Sequence, residues 1–152
     1  MIAPPAGSGG GTFLCDTSVL VAASDTVHEH HARSLALVAS ASPSRAFCAA
    51  HTLGELYATL TATPPPRMRR TSDVLANVEH ACRVFTPVPL DVEDYRWVLN
   101  HGAQAGVRSG QIYDALILKA AERAGVDTVY TWNVGHFRRV AWPAIIGRIQ
   151  EP

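Results

Sequence analysis

Phe13-Leu14-Cys15-Asp16-Thr17-Ser18-Val19-Leu20 reads as a strand that runs directly into a helix. Phe13 to Cys15 is a short apolar strand. Asp16-Thr17-Ser18 offers side-chain oxygens that cap a helix N-terminus, and Val19 to Ala23 continues as a short helix. The same step recurs downstream. Ala46 to Ala50 is a second strand, followed by a helix that Thr52 would cap, with Glu55 three residues on as its capping-box partner.

The helix holding Glu55, Leu56 and Leu60 stops at Pro64-Pro65-Pro66. Between the first helix and the second strand, His28 to Ala41 reads as a helix ended by Ser42-Pro43. Met68 to Val84 is helical, with Val74, Leu75, Val78, Ala81 and Cys82 at helical spacing. Phe85 to Leu90 is a third strand. Asp91 is the expected N-cap of a helix running to about Gln104. Gly110 to Ala124 is the most apolar helix, and Gly125 suits its C-cap. Thr128 to Trp132 is a fourth strand, and Val140 to Ile149 holds room for one short edge strand. Strands alternating with helices predict an α/β fold of three layers, a mostly parallel central sheet between helices. In such folds, sites form at the carboxyl ends of strands, near the switch in strand order.

The chain has 152 residues, of which 47% are hydrophobic, with a formal net charge of zero. That length suits one domain with a real core. Residues 1–11, rich in Pro and Gly, read as a flexible leader, and residues 12–152 as the single domain. No apolar run approaches a membrane span, and the N-terminus lacks the basic and apolar regions of a secretory signal. Cys15, Cys48 and Cys82 are odd in number and widely spaced, which argues against a disulfide framework or a zinc knuckle. Buried thiols in a reducing cytoplasm are the expectation for Cys15 and Cys48.

Four polar residues sit at the ends of, or inside, apolar segments: Asp16, Glu55, Asp114 and Asn133. A carboxylate beside buried apolar surface costs several kcal/mol unless it is neutralised. No Lys or Arg stands next to any of the three acids in sequence, so a divalent cation is the expected partner. Carboxylates bind magnesium or manganese through hard oxygen atoms. Such a cation lowers the pKa of bound water and stabilises charge on a phosphoryl oxygen. Asp16 and Asp114 are assigned as ligands, Glu55 as a ligand or the holder of a water, and Asn133 as a neutral oxygen ligand or a water-orienting group. Ser18 and Thr131 would fix the carboxylates through their hydroxyls. Taken singly, Asp16 is also a plain helix cap, Glu55 a capping-box residue and Asn133 a turn former. Asp114 has no such ordinary explanation, because it interrupts the most apolar helix.

At these residues the chain resembles the PIN-domain family, and within it the VapC-type toxin ribonucleases of type II toxin-antitoxin systems. Leu14-Cys15-Asp16-Thr17-Ser18 resembles the opening strand and first acidic residue. Glu55, between Leu53 and Leu56, fits the second acidic position. Gly110-Gln111-Ile112-Tyr113-Asp114-Ala115 resembles the third motif, and Thr131-Trp132-Asn133-Val134-Gly135-His136-Phe137 the closing one. The resemblance spans roughly Phe13 to Ile149. It implies a PIN fold, hydrolysis of RNA phosphodiesters in transfer or ribosomal RNA with Mg2+ or Mn2+, a VapB-type antitoxin partner and a homodimer. The antitoxin would insert a segment into a clamp formed by helices Thr52–Ala62 and Met68–Val84. One departure is that the fourth acidic position, often Asp, is Asn133 here, which favours fewer or weaker cation sites.

Arg67, Arg69 and Arg70 after the triple proline, Arg108 before the Asp114 helix, and Arg138 and Arg139 near the closing motif are candidate contacts to RNA phosphates, or ordinary solvated arginines. His28-Glu29-His30-His31 reads as a surface patch at a helix start rather than a metal site. His51 lies nearer the acidic set, and His136 is expected to pack with Phe137 in a closing turn. Trp97, Trp132 and Trp142 read as core or interface residues. Two rival functions remain. A non-catalytic PIN-like module that binds RNA or a partner is motivated by Asn133 and the neutral charge. A phosphoacceptor domain would want a second Asp two residues after Asp16, where Ser18 stands, and Lys119 is the chain's single lysine.

Overall fold

Strand β1, Phe13–Cys15, is buried on both faces, and its side chains divide two cores. The computed structural model describes residues 10–152, so most of the expected leader lies outside the described residues. After β1 come α1 (Thr17–Ser24), α2 (His31–Ala39), β2 (Ala46–Ala49), α3 (Ala50–Thr61), α4 (Thr71–Val84) and β3 (Thr86–Val88). Then follow α5 (Val92–Gln104), α6 (Gln111–Ala124), β4 (Thr128–Tyr130), α7 (Val134–Val140), α8 (Pro143–Ile146) and β5 (Ile149–Gln150).

The five strands run in the order β3-β2-β1-β4-β5, and every pairing is parallel. The sheet expected to be mostly parallel is therefore wholly so. Successive side chains of a strand point to opposite faces. Phe13 and Cys15 accordingly join a core with Leu20, Leu37, Leu56, Leu60 and Val74 from α1 to α4. Leu14 points the other way, into a core built from α5 to α8, with Val98, Leu118, Phe137 and Ile145. Layers of helices on both faces follow from that alternation. Cys15 and Cys48 are fully buried as expected, while Cys82 is exposed. Burial pushes the Cys48 thiol up to about 12.

Several elements keep their expected bounds. Asp91 caps α5, and it and Asp94 exchange side-chain and backbone hydrogen bonds in a capping box. Gly125 ends α6 with φ +65°, a conformation that favours glycine. Gly102 on α5 is buried against the start of α6, and a Cβ there would meet Ile112 Cδ1 at 2.7 Å.

Three expectations are corrected. Strand β2 passes into α3 without a loop, so the helix begins at Ala50 and its N-cap is Ala49. Thr52 thus lies inside α3, buried, and caps nothing; its hydroxyl has no partner among the described residues. Helix α2 starts at His31, not His28. Asp25 Oδ1 accepts from the Val27 backbone and His28 Nδ1 from the His30 backbone, which diverts those residues into turns. The stretch after Asn133 is helical rather than a turn. There Phe137 is fully buried while His136 is exposed and does not pack with it.

Leu14 lies at the centre of the sheet with no exposed surface. Leu14→Ala is expected to lower unfolding free energy by about 3 kcal/mol, measured by urea titration, with the denaturant slope unchanged.

Candidate active site

Asp16 follows β1 and Asn133 follows β4, the two strands that pair where the strand order reverses. This switch point opens a crevice beyond the carboxyl ends of the strands. A cavity of about 440 Å³ occupies it, lined among others by Asp16, Ser18, Glu55, Asp114, Trp132 and Asn133. All four residues singled out in the sequence therefore share one cavity. Helix α3 carries Glu55 into it from the far side of β2, and the first turn of α6 carries Asp114.

Asp16 is 4% exposed and held on several sides. Its Oδ2 accepts from the Thr131 hydroxyl at 2.9 Å and from the Ser18 backbone N–H at 3.3 Å, where it serves as the N-cap of α1. The Thr131 hydroxyl in turn accepts from the Asn133 backbone at 3.0 Å, and Ser18 Oγ accepts from the Trp132 backbone at 3.1 Å. Thr131 through its hydroxyl, and Ser18 through its backbone N–H to Asp16 and its hydroxyl to Trp132, thus tie Asp16 to the loop after β4. Burial, the largest influence, raises the Asp16 pKa against the pull of the hydrogen bonds from Ser18 and Thr131.

Glu55 is a bridging residue, not a capping one. Its Oε2 accepts from the Thr17 hydroxyl at 2.6 Å, and its Oε1 lies 2.9 Å from His51 Nε2. Asp114 sits where the helix dipole favours an acid. Its pKa is nonetheless pushed up to about 7, first by burial and then by the charges of Asp16 and Glu55. Among the described residues neither Asp16 nor Asp114 is paired with a Lys or Arg. Asn133, exposed, makes no side-chain cap on α7.

The donors suit a hard divalent cation: three carboxylates, one neutral amide and nearby hydroxyls. The raised Asp114 is the structural sign of negative charge that nothing compensates. Among the described residues no three His, Cys, Asp or Glu side chains already surround one point. Like charges repel one another, and Glu55 is turned toward Thr17 and His51.

Other wall residues escaped the sequence reading. Thr17 Oγ1 was hidden by its neighbour Asp16. His28, Glu29 and His30 line the cavity instead of forming a remote surface patch. His30 stacks on Trp132 with centroids 3.7 Å apart, and the Arg33 guanidinium lies 5.0 Å from the Trp132 ring centre. None of the six candidate arginines lines the cavity. Arg67 pairs with Asp25, Arg69 donates to the Ser24 carbonyl at 2.7 Å, and Arg138 donates to the Ile149 carbonyl at 3.4 Å. Arg70, Arg108 and Arg139 are exposed.

Comparison with known proteins matches residues 13–143 to the PIN domain family. Ribonuclease VapC40 of Mycobacterium tuberculosis is 34% identical over 111 residues, covering 72% of this chain and 78% of that protein. Among solved structures, the sarcin-ricin loop cleaving toxin VapC20 of M. tuberculosis superposes with a TM-score of 0.64 at 19% identity, over 80% of this chain and 90% of that one. VapBC2 of Rickettsia felis, bound to a fragment of promoter DNA, gives a TM-score of 0.64 at 17% identity, over 93% and 98%. At these identities the two structures speak for the fold.

Between its ordinary value of 3.8 and about 7, Asp114 holds a proton in the folded protein that the unfolded chain has released. Stability from this group is therefore greatest at the acid end of that window and falls as pH rises. In chelator, wild-type protein should lose stability relative to Asp114→Asn as pH rises from about 4 to about 7, followed by urea unfolding. Parallel pH profiles for the two proteins would contradict the crowding of charge at Asp114.

Proposed function

We propose a cation-dependent endoribonuclease toxin, on the premise that this chain belongs to the PIN-domain family, among its VapC-type ribonuclease toxins. The observation that carries the proposal is the meeting of Asp16, Glu55 and Asp114 in one cavity, with Asp114 raised by the other two. Asp16, Asp114 and Glu55 would hold Mg2+ or Mn2+, with Asn133 as a neutral oxygen ligand. When bound, the cation supplies a water of lowered pKa and neutralises charge on the phosphoryl oxygens.

The chain's own residues do the rest. Thr131 and Ser18 fix Asp16 and prevent its rotation away from the cavity. Thr17 and His51 aim Glu55. Asp114, raised to about 7, would have to release its proton to serve as a ligand. One neutral residue among the four, Asn133, leaves less negative charge than four acids would, which favours fewer or more weakly held cations. Exposed Arg70, Arg108 and Arg139 are available for phosphates of the RNA outside the cavity.

The substrate is transfer or ribosomal RNA, whose stem-loops present unpaired nucleotides. Residues 12–152 act as one cytoplasmic domain and as a homodimer. No helix of the described residues is long and apolar enough to cross a membrane. A VapB-type antitoxin is the partner. An apolar hollow of about 220 Å³, lined by Leu20, Leu35, Val38, Leu56, Ala81 and Phe85, lies among α1 to α4 and would accept its inserted segment. Asn133 also motivates the second reading, a PIN-like module that binds RNA or a partner without cutting.

Asp16→Asn and Asp114→Asn are each expected to reduce cleavage of total RNA by at least about a hundredfold while circular dichroism remains unchanged. Calorimetric titration with Mn2+ should show binding to the wild type and a marked loss in Asp114→Asn. An Asp114→Asn protein that cuts at the wild-type rate would sink this mechanism, and a wild type that neither binds Mn2+ nor cuts RNA would favour the binding module. Sequencing RNA 5′ ends after expression identifies the target. A truncated antitoxin lacking its C-terminal segment should fail to inhibit; full inhibition would remove the groove from the account.

A further inference from the structure

Tyr113 immediately precedes Asp114 at the start of α6, yet the residue is 47% exposed. The ring is not loose. It stacks on His51 with centroids 5.0 Å apart and planes 21° from parallel. His51 is in turn fixed by its contact with Glu55 at 2.9 Å. An aromatic surface is thus coupled to two of the three acids of the cavity, to Asp114 along the chain and to Glu55 through His51. Among the described residues His51 is its one aromatic partner.

Among the described residues Tyr57 and Tyr95 are also exposed, but neither stacks on another ring, and the two tryptophans with exposed surface are already engaged. Trp132 already carries His30 and lies near Arg33. Trp97 stacks on His101, meets Trp142 edge to face and lies under Lys119, away from the acidic cavity. Tyr113 does not line the cavity itself; it stands at its edge, next to Asp114 in the chain and joined to Glu55 through His51, with surface to offer.

Electrostatics makes such a surface useful. Three carboxylates repel a phosphate backbone, none of the candidate arginines lines the cavity, and the formal net charge is zero. The cation that the acids would hold attracts the reacting phosphate only, so affinity for the flanking nucleotide near the acids has to come from another part of it. Every base has a π-face, and stacking on an aromatic side chain is strong and tolerant of sequence. A rigid ring loses little conformational freedom on binding. Within a duplex both faces of a base are covered, so an unpaired nucleotide is required.

We propose that Tyr113, backed by His51, is the stacking platform for an unpaired RNA base beside the phosphodiester that the acids attack. The proposal rests on the nuclease reading above and names the class of substrate it selects: unpaired RNA. Tyr113 thus acts in binding and positioning rather than in bond breaking.

The test measures binding separately from cutting. On an Asp16→Asn background with Mg2+, fluorescence anisotropy follows a labelled single-stranded RNA of about twelve nucleotides, an abasic strand of the same length, and the matching duplex. Tyr113→Ala should weaken binding of the single strand about tenfold, with much smaller effects on the abasic strand and the duplex. Tyr113→Phe, which keeps the ring, should rescue binding, and Tyr95→Ala, on exposed α5, serves as the control for loss of an aromatic elsewhere. Urea titration confirms that the variants are folded. Unchanged affinity in Tyr113→Ala, an equal loss on all probes, or no affinity of the parent protein for the single strand overturns the platform. If the binding difference holds while the wild type fails to cut RNA, the nuclease reading falls and the platform stands.

Discussion

The hydrogen bond from the Thr131 hydroxyl to Asp16 Oδ2, 2.9 Å long and buried, joins the ends of the two central strands. It lies at the one place in a parallel sheet where neighbouring connections depart to opposite faces and leave a crevice. A buried carboxylate there is costly unless its oxygens are satisfied. Asp16 meets that requirement with hydroxyl and amide donors rather than with a cation from the protein, so it keeps its charge-binding capacity. Thr131 also accepts from Asn133, and Ser18 from Trp132. The same small network therefore shapes the loop that brings Asn133 and Trp132 to the cavity.

The remaining acids are arranged around that fixed point with their repulsion left in place. Asp114 is raised to about 7 although it sits in the first turn of a helix, where the dipole favours its charged form. Crowding and burial outweigh the dipole. Perturbed carboxylates of this kind cluster at functional sites, which agrees with the proposed cation-binding role. His51 connects this electrostatic centre to its surroundings. One nitrogen orients Glu55, while the ring supports Tyr113, so the acids and the exposed aromatic surface share one framework.

Much of this was legible in the chain. Alternation of strand and helix gave the layers, because apolar runs such as Phe13–Cys15 and Thr128–Tyr130 can only be buried between helices. Asp91 and Gly125 marked helix ends through local chemistry that tertiary contacts did not override. Local chemistry also misled. Thr52 and Glu55 have the spacing of a capping box, yet β2 enters α3 directly and leaves both residues inside the helix. The His28 to His31 run looked like a helix start, whereas side-chain bonds at Asp25 and His28 turn the backbone first and bring His28, Glu29 and His30 to the cavity wall.

Sequence alone was enough for the architecture and for singling out the acids that share the cavity, since both follow from which residues interrupt apolar periodicity. What those acids face came only from folding. That Thr17, thirty-eight positions from Glu55, holds it, that Thr131 reaches Asp16 across 115 positions, and that His51 underlies Tyr113 are long-range facts. So is the retreat of Arg67, Arg69 and Arg138 into contacts of their own. Periodicity reports which side of an element is buried; it carries no information about the partner across the sheet, because that partner is set by strand order and by packing between segments remote in the chain.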